Sequence, residues 1–193
     1  MSGKTTREQI VESADELFYR QGYEHTTFAD IAEAVQISRG NFYYHFRTKD
    51  DILDAVIALR LANTQQMLEC WEAKGDNPAE RIRSFIHIIT VNRAKIMAYG
   101  CPVGTLCAEL AKLDHVAQSE ANKIFTLFRN WLRHQFALLG FAADADTLAM
   151  HVLARSQGVA MLANAFRDED FIHSEVDQMC AWLEACTQKA DSP

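Results

Sequence analysis

The chain has 193 residues, a formal net charge of −7 and a hydrophobic fraction of 49%. That length suits one or two compact domains with a buried core, and the acidic total excludes a protein that coats nucleic acid indiscriminately, so any DNA contact must be focused on a small face. Three prolines and eight glycines, against plentiful Ala, Leu, Ile, Glu and Gln, predict an all-α protein.

The opening MSGKTTREQI lacks the apolar core of a signal peptide. No run approaches the ~18 apolar residues of a membrane span. The expectation is a cytoplasmic protein with no membrane partner. Five cysteines (Cys70, Cys101, Cys107, Cys180 and Cys186) are an odd number and are expected as free thiols in a reducing compartment. No metal-ligand pattern such as HExxH or CxxC occurs, and no cofactor is expected.

Helix starts are well marked. Thr5-Thr6-Arg7-Glu8 is a capping box opening a helix over about 5–21, with Ile10, Ala14, Leu17 and Phe18 on one face and Gly22 as its stop. Thr27-Phe28-Ala29-Asp30 opens a short helix over about 28–34, and another short helix covers about 39–45. Thr48-Lys49-Asp50-Asp51 opens a long helix that runs to about Lys74. Asn77-Pro78-Ala79-Glu80 starts the next, to about Tyr99. Gly100-Cys101-Pro102-Val103-Gly104 breaks the pattern before a short helix to about Lys112. Helices over about 115–139, 144–167 and 171–188 follow, with Asp114 and Asp144 as plausible caps. The total is about nine helices. No repeat or low-complexity linker occurs, so the domain boundary is expected inside the fourth helix, giving domains 1–50 and 51–193.

Residues 1–49 hold six Lys/Arg and seven Asp/Glu, and between Ala34 and Lys49 there is no acid. That stretch carries Arg39, Asn41, Tyr43, Tyr44 and His45. An acid-free, aromatic and basic helix in an acidic protein suits a polyanion. Ile31 and Phe42 can pack the second helix on the third while Phe18 and Phe46 tie both to the first, leaving Arg39, Asn41, Tyr43 and Tyr44 outward. The competing reading makes the whole aromatic cluster core. Arg39 is the best candidate for a guanine edge, with Asn41 second. The tyrosines would cover sugars or thymine methyls, with hydroxyls on phosphates. The Thr27 hydroxyl and the N-terminus of the second helix would hold one phosphate, and His45 and Lys49 others.

Residues 10–53 resemble the DNA-binding domain of the TetR family of bacterial transcriptional regulators, through Ile10, Ala14, Leu17, Phe18, Gly22, Tyr23, Thr26, Thr27, Ile31, Ala32, Ser38, Arg39, Gly40, Tyr43, Tyr44, His45, Phe46, Lys49 and Leu53. The resemblance implies an N-terminal three-helix helix-turn-helix domain, with Ser38 and Gly40 added to the DNA-contacting set. It also implies a C-terminal helical domain for ligand binding and dimerisation. One position departs from the family pattern: Gln36 stands where the turn usually has Gly. A left-handed residue there costs Gln about a kcal/mol relative to Gly.

The resemblance further implies a homodimer on a palindromic double-stranded operator. The last two helices suit its interface, with His151, Arg155, Gly158, Val159, Leu162, Met179 and Leu183 as candidates. An intramolecular helix pair is the other reading. Trp71, Phe85, Ile88, Met97, Cys101, Phe125, Phe128 and Trp131 are candidate lining for a small, hydrophobic or aromatic effector, or else plain core. Cys101 is either part of a structural corner or an oxidant- or electrophile-sensing thiol near a helix start. Cys101, His87 and Asp114 make no spaced catalytic motif, so no enzyme is expected. The leading expectation is a repressor released from its operator by the effector.

Overall fold

The structure is a computed structural model that describes residues 4–190, with side chains through 188. Ten helices and no strand occur among the described residues. They are α1 (Thr6–Gln21), α2 (Phe28–Val35), α3 (Arg39–His45), α4 (Lys49–Lys74), α5 (Pro78–Val91), α6 (Arg93–Tyr99), α7 (Pro102–Lys112), α8 (Gln118–Leu138), α9 (Ala145–Phe166) and α10 (Glu169–Ala190). The all-α expectation holds. The helix expected to run unbroken to Tyr99 is interrupted at Asn92, whose side-chain amide donates to Ile88 O at 2.9 Å. Asn92 N donates to the same carbonyl at 3.1 Å, and the residue leaves helical geometry at φ −101°, ψ 12° between α5 and α6.

The caps form as local chemistry dictates. Thr5 and Glu8 exchange both bonds of a capping box, as do Thr27 and Asp30. Asp51 accepts from Thr48 N and Arg47 N while Thr48 Oγ1 accepts from Asp51 N, fixing the start of α4. Asn77 Oδ1 accepts from Glu80 N with Pro78 in the first turn of α5.

Three helices end alike. After α2, Gln36 N donates to Glu33 O and Ile37 N to Ala32 O, with Gln36 left-handed at φ 59°, ψ 43°. After α7, Asp114 N and His115 N donate to Ala111 O and Leu110 O, with Asp114 at φ 49°. After α8, Gly140 and Phe141 repeat the pattern. Asp114 therefore closes α7 in a left-handed conformation, correcting its expected role as a cap for the following helix. Asp144 stands at the N-cap of α9 but makes no side-chain capping bond there.

The helices group into two compact units. One holds residues 1–63 and 105–124; the other holds 64–104 and 125–193. Ile10, Ala14, Phe18, Ile31, Phe42, Phe46, Ile52, Leu53 and Val56 are buried in the first, joined by Leu106, Leu110 and Ile124. Arg60 of α4, itself buried, donates from Nε to Asp15 of α1 at 2.6 Å. In the second unit α5 packs on α10, and α9 on α5, α6 and α10.

Candidate DNA interface

Three short elements present the surface. Phe42 is buried against Phe28, ring centroids 5.1 Å apart, which fixes α3 on α2. Ser38 caps α3, its hydroxyl accepting from Asn41 N at 3.3 Å. The opposite face of α3 is then left to solvent. Arg39, Gly40 and Asn41 are exposed, and Tyr43 and Tyr44 are 53% and 85% exposed. His45 is half-buried beside Tyr44, its ring 5.2 Å away. A Cβ built on Gly40 would meet no protein atom within 4 Å, so packing inside the chain does not call for glycine there. Phe42 and Phe46 are core, as their spacing indicated.

Two of the expected phosphate contacts are already engaged by the protein. Thr27 Oγ1 donates to Asp30 Oδ2 at 2.8 Å and accepts from Asp30 N. Thr27 N also donates to Asp30 Oδ2. These bonds hold the Asp30 carboxyl below its usual range. What the first turn of α2 still offers a phosphate is the N–H of Phe28 and of Ala29, which a helix cannot pair internally. Lys49 lies 4.3 Å over the Tyr23 ring and donates to Tyr23 O and Glu24 O at 3.0 and 3.1 Å. Its charge therefore sits on the α1–α2 turn.

That turn is the part sequence reading missed. Glu109 of α7 accepts from both Tyr23 N and Glu24 N at 2.9 Å. The Tyr23 hydroxyl donates to Asp50 Oδ1 at 2.5 Å, with His115 Nε2 3.4 Å from the same hydroxyl. His115 Nδ1 accepts from Ala117 N at 3.1 Å, so the neutral ring carries its proton on Nε2, facing Tyr23 and Asp50. Burial first, then the Asp50 bond and charge, push the Tyr23 hydroxyl far above its ordinary value. Glu109 lies 86 positions from Tyr23, and no local pattern could have paired them.

In the second unit the expected effector residues form two aromatic pairs. Trp71 and Trp131 are 5.7 Å apart, and Phe85 and Phe128 meet edge-on at 5.4 Å. Phe85, Phe128 and Trp131 are buried, while Trp71, Ile88, Met97, Cys101 and Phe125 are half-buried. The buried Trp131 Nε1 has no hydrogen-bond partner. Cys101 Sγ accepts from Gly104 N at 3.4 Å at the start of α7. His87 Nε2 faces Cys180 Sγ at 3.8 Å.

The expected dimer residues divide. Val159, Met179 and Leu183 are buried within their own chain. Arg155 is also engaged internally, donating to Glu175 at 2.9 Å and to Gln178 at 3.1 Å. His151 is exposed and stacks on Trp182, centroids 4.6 Å apart. Gly158 and Leu162 are exposed on α9. They share that surface with Met150, Met161 and Phe166, the last two about three-quarters exposed.

Residues 10–56 match the model of bacterial regulatory proteins of the tetR family, and residues 78–178 match the C-terminal domain of LmrA/YxaF-like transcriptional regulators. The HTH-type transcriptional regulator AcrR of Shigella flexneri is 31% identical over 166 residues, 82% of this chain and 77% of that protein. The chain belongs to the TetR family of bacterial regulatory proteins. An HTH-type transcriptional regulator from the lacX 3′ region of Lactococcus lactis subsp. lactis is 27% identical over 190 residues, covering 96% of this chain and 97% of that protein. The crystal structure of a TetR transcriptional regulator from Legionella pneumophila superposes with a TM-score of 0.82 at 26% identity, over 93% of this chain and 99% of that one.

TetR-family regulators bind DNA through this N-terminal domain, and the chain is a DNA-binding transcriptional regulator, not an enzyme. Dimer formation and effector binding are typical of the family. No helix among the described residues is long and apolar enough to cross a membrane.

Proposed function

We propose that this chain is a cytoplasmic repressor that holds a palindromic operator as a homodimer and leaves it when a small hydrophobic or aromatic effector binds. Residues 1–50 read DNA and residues 51–193 bind the effector and the second copy. The observation that carries the reading is the bare face of α3: two tyrosines left open to solvent beside Arg39, Asn41 and a glycine that the chain's own packing does not require. An exposed pair of aromatic rings on an acid-free surface suits sugars and phosphates, and Arg39 suits a guanine edge. Thr27, Ser38, Gly40, His45 and Lys49 complete the contact set, Thr27 through the free N–H groups behind it and Lys49 through the turn it holds. A twofold protein meets a twofold site, with reading helices about 34 Å apart.

The two aromatic pairs support an apolar effector, and the unpaired Trp131 N–H supports one that carries a hydrogen-bond acceptor. A second reading makes Cys101 a thiol sensor. It is favoured by the position of the Cys101 sulfur at the head of α7, where it accepts from Gly104 N at 3.4 Å. Release of the operator on alkylation of the wild type but not of Cys101→Ser would support that reading; equal release in both removes it.

The test is selection of bound duplexes from a random-sequence pool, followed by fluorescence anisotropy of wild type and Arg39→Ala. A twofold-symmetric consensus is expected, and Arg39→Ala should relax one base position in each half by about 1–3 kcal/mol. Absence of any enriched sequence overturns the DNA reading. Unchanged base preference in Arg39→Ala overturns the assignment of Arg39.

A further inference from the structure

We propose that Cys180 and His87 form a two-ligand site for a soft monovalent ion, copper(I), in the seam between α5 and α10. The site lies wholly within the second compact unit and stands independently of the DNA reading. His87 Nε2 and Cys180 Sγ are 3.8 Å apart. With bonds of about 2.3 Å to sulfur and about 2.0 Å to nitrogen, a shared ion would hold the two atoms about 3.5 Å apart at a tetrahedral angle and about 4.3 Å apart in a straight line. The observed separation falls between these limits, so the pair can close on an ion with shifts of no more than about half an ångström.

The seam keeps the two ligands together. Arg83 stands one turn before His87 on α5, and Glu184 stands one turn after Cys180 on α10. Arg83 Nη2 lies 2.9 Å from Glu184 Oε1. One turn forward on one helix and one turn back on the other is the register of antiparallel helices, so the ion pair brings His87 opposite Cys180. The two residues are 93 positions apart, which leaves no spacing motif in the sequence. Both are reachable, His87 being exposed and Cys180 half-buried. The local charge favours a cation: the carboxylates of Asp177, Glu184 and Glu80 act on the sulfur against the single guanidinium of Arg83.

The ligand set decides which ion. Thiolate and imidazole suit a soft ion. No group of three or more His, Cys, Asp or Glu side chains that could hold a metal occurs among the described residues. The four protein ligands of a structural zinc are therefore not assembled there, whereas copper(I) is satisfied by two. On binding, Cys180 gives its thiol proton to solvent as the sulfur–metal bond forms, and the neutral His87 ring donates the Nε2 lone pair. The ion enters and stays as copper(I), and no electron is transferred.

The experiment adds copper(I) to the reduced full chain, anaerobically and against a chromophoric copper(I) chelator, at less than one equivalent. Wild type is compared with Cys180→Ser, His87→Ala and Cys70→Ser, the last as a control for the other thiols. Neither ligand is core, so each variant should keep the wild-type melting temperature. The tightest site should vanish in Cys180→Ser, weaken at least about tenfold in His87→Ala and stay unchanged in Cys70→Ser. The nitrogen resonance of His87 Nε2 should move when copper(I) is added to wild type and stay in place in Cys180→Ser. That resonance in wild type decides the matter alone if a variant fails to fold, and its failure to move overturns the site. Equal affinity in all four proteins would place the ion on other thiols and overturn the proposal. Loss in Cys180→Ser with His87→Ala unchanged would leave a single thiol and overturn it equally. A His87 resonance that moves with zinc(II) and not with copper(I) would overturn the assignment of the ion.

Discussion

The ring of Tyr43 stands edge-on to that of Phe28, centroids 5.6 Å apart and planes at 82°, while half of Tyr43 stays open to solvent. One tyrosine thus packs with its inner edge and offers its outer edge and hydroxyl. Tyr43→Phe keeps the packing edge and should leave the melting temperature unchanged. It should weaken binding to specific and scrambled DNA alike, by about 1 kcal/mol for a lost phosphate bond. Thermal denaturation and anisotropy on both duplexes separate the two effects, and a fall in melting temperature without loss of affinity would return Tyr43 to the core.

Gly40 makes a sharper test because its two roles have opposite signs. Alanine is the better helix former by up to about 1 kcal/mol, and the site has room for a Cβ. Gly40→Ala should raise the melting temperature while lowering DNA affinity, since a methyl group would stand between α3 and the duplex. A variant that gains stability and keeps full affinity would show that nothing approaches that backbone.

Gln36 holds a left-handed conformation at φ 59°, which L side chains with a Cβ adopt at a cost. Gln36→Gly should therefore be neutral or raise stability, by no more than about 1 kcal/mol, the gain being reduced by the greater freedom of glycine in the unfolded chain. Urea denaturation reads it. A clear loss of stability would mean that the Gln36 side chain contributes more than the strain removes.

The caps of α2 and α4 carry a pH dependence whose sign is fixed. Bonds from Thr27 hold the Asp30 carboxyl below its ordinary 3.8, and bonds from Thr48 do the same for Asp51. A carboxyl depressed in the folded state contributes stability that is fully present above about pH 4 and is lost as pH falls through the folded value. Asp30→Asn with Asp51→Asn should lower the melting temperature at pH 7 and flatten its decline between about pH 4 and 3 relative to wild type. An equally steep decline in both proteins would place the acid sensitivity elsewhere.

On α9, Gly158 has no protein atom within 4 Å of a built Cβ, and Met161, Leu162 and Phe166 are exposed along the same helix. An apolar stripe of this kind suits a second copy. Leu162→Glu should leave helicity unchanged and convert the dimer to monomer in sedimentation velocity. Met179→Glu should unfold the chain instead, because Met179 is buried within it. A Leu162→Glu protein that remains dimeric would move the interface off this stripe.

The parts of this protein that sequence alone determined are those whose partners lie within a few residues of each other. Thr5 with Glu8, Thr27 with Asp30 and Thr48 with Asp51 are capping pairs three apart, so their chemistry is written in the spacing. The outward face of α3 was legible because Phe42 and Phe46 occupy the apolar positions and leave Arg39, Asn41, Tyr43 and Tyr44 for the other side. Gln36 was legible through the family resemblance, as the position where that pattern usually has Gly.

Tertiary structure decided what local pattern leaves degenerate. On α9 small and branched residues occur all round, and packing against α5, α6 and α10 selected Val159 for the core and Leu162 for the surface. Lys49 carries a charge that would serve a phosphate equally well, and it was the placement of the Tyr23 and Glu24 carbonyls that claimed it. Glu109 reaches those same two residues from more than 80 positions away. A bond of that separation has no signature in spacing or periodicity, because only the folding of α7 against the first helices brings the carboxylate to the turn.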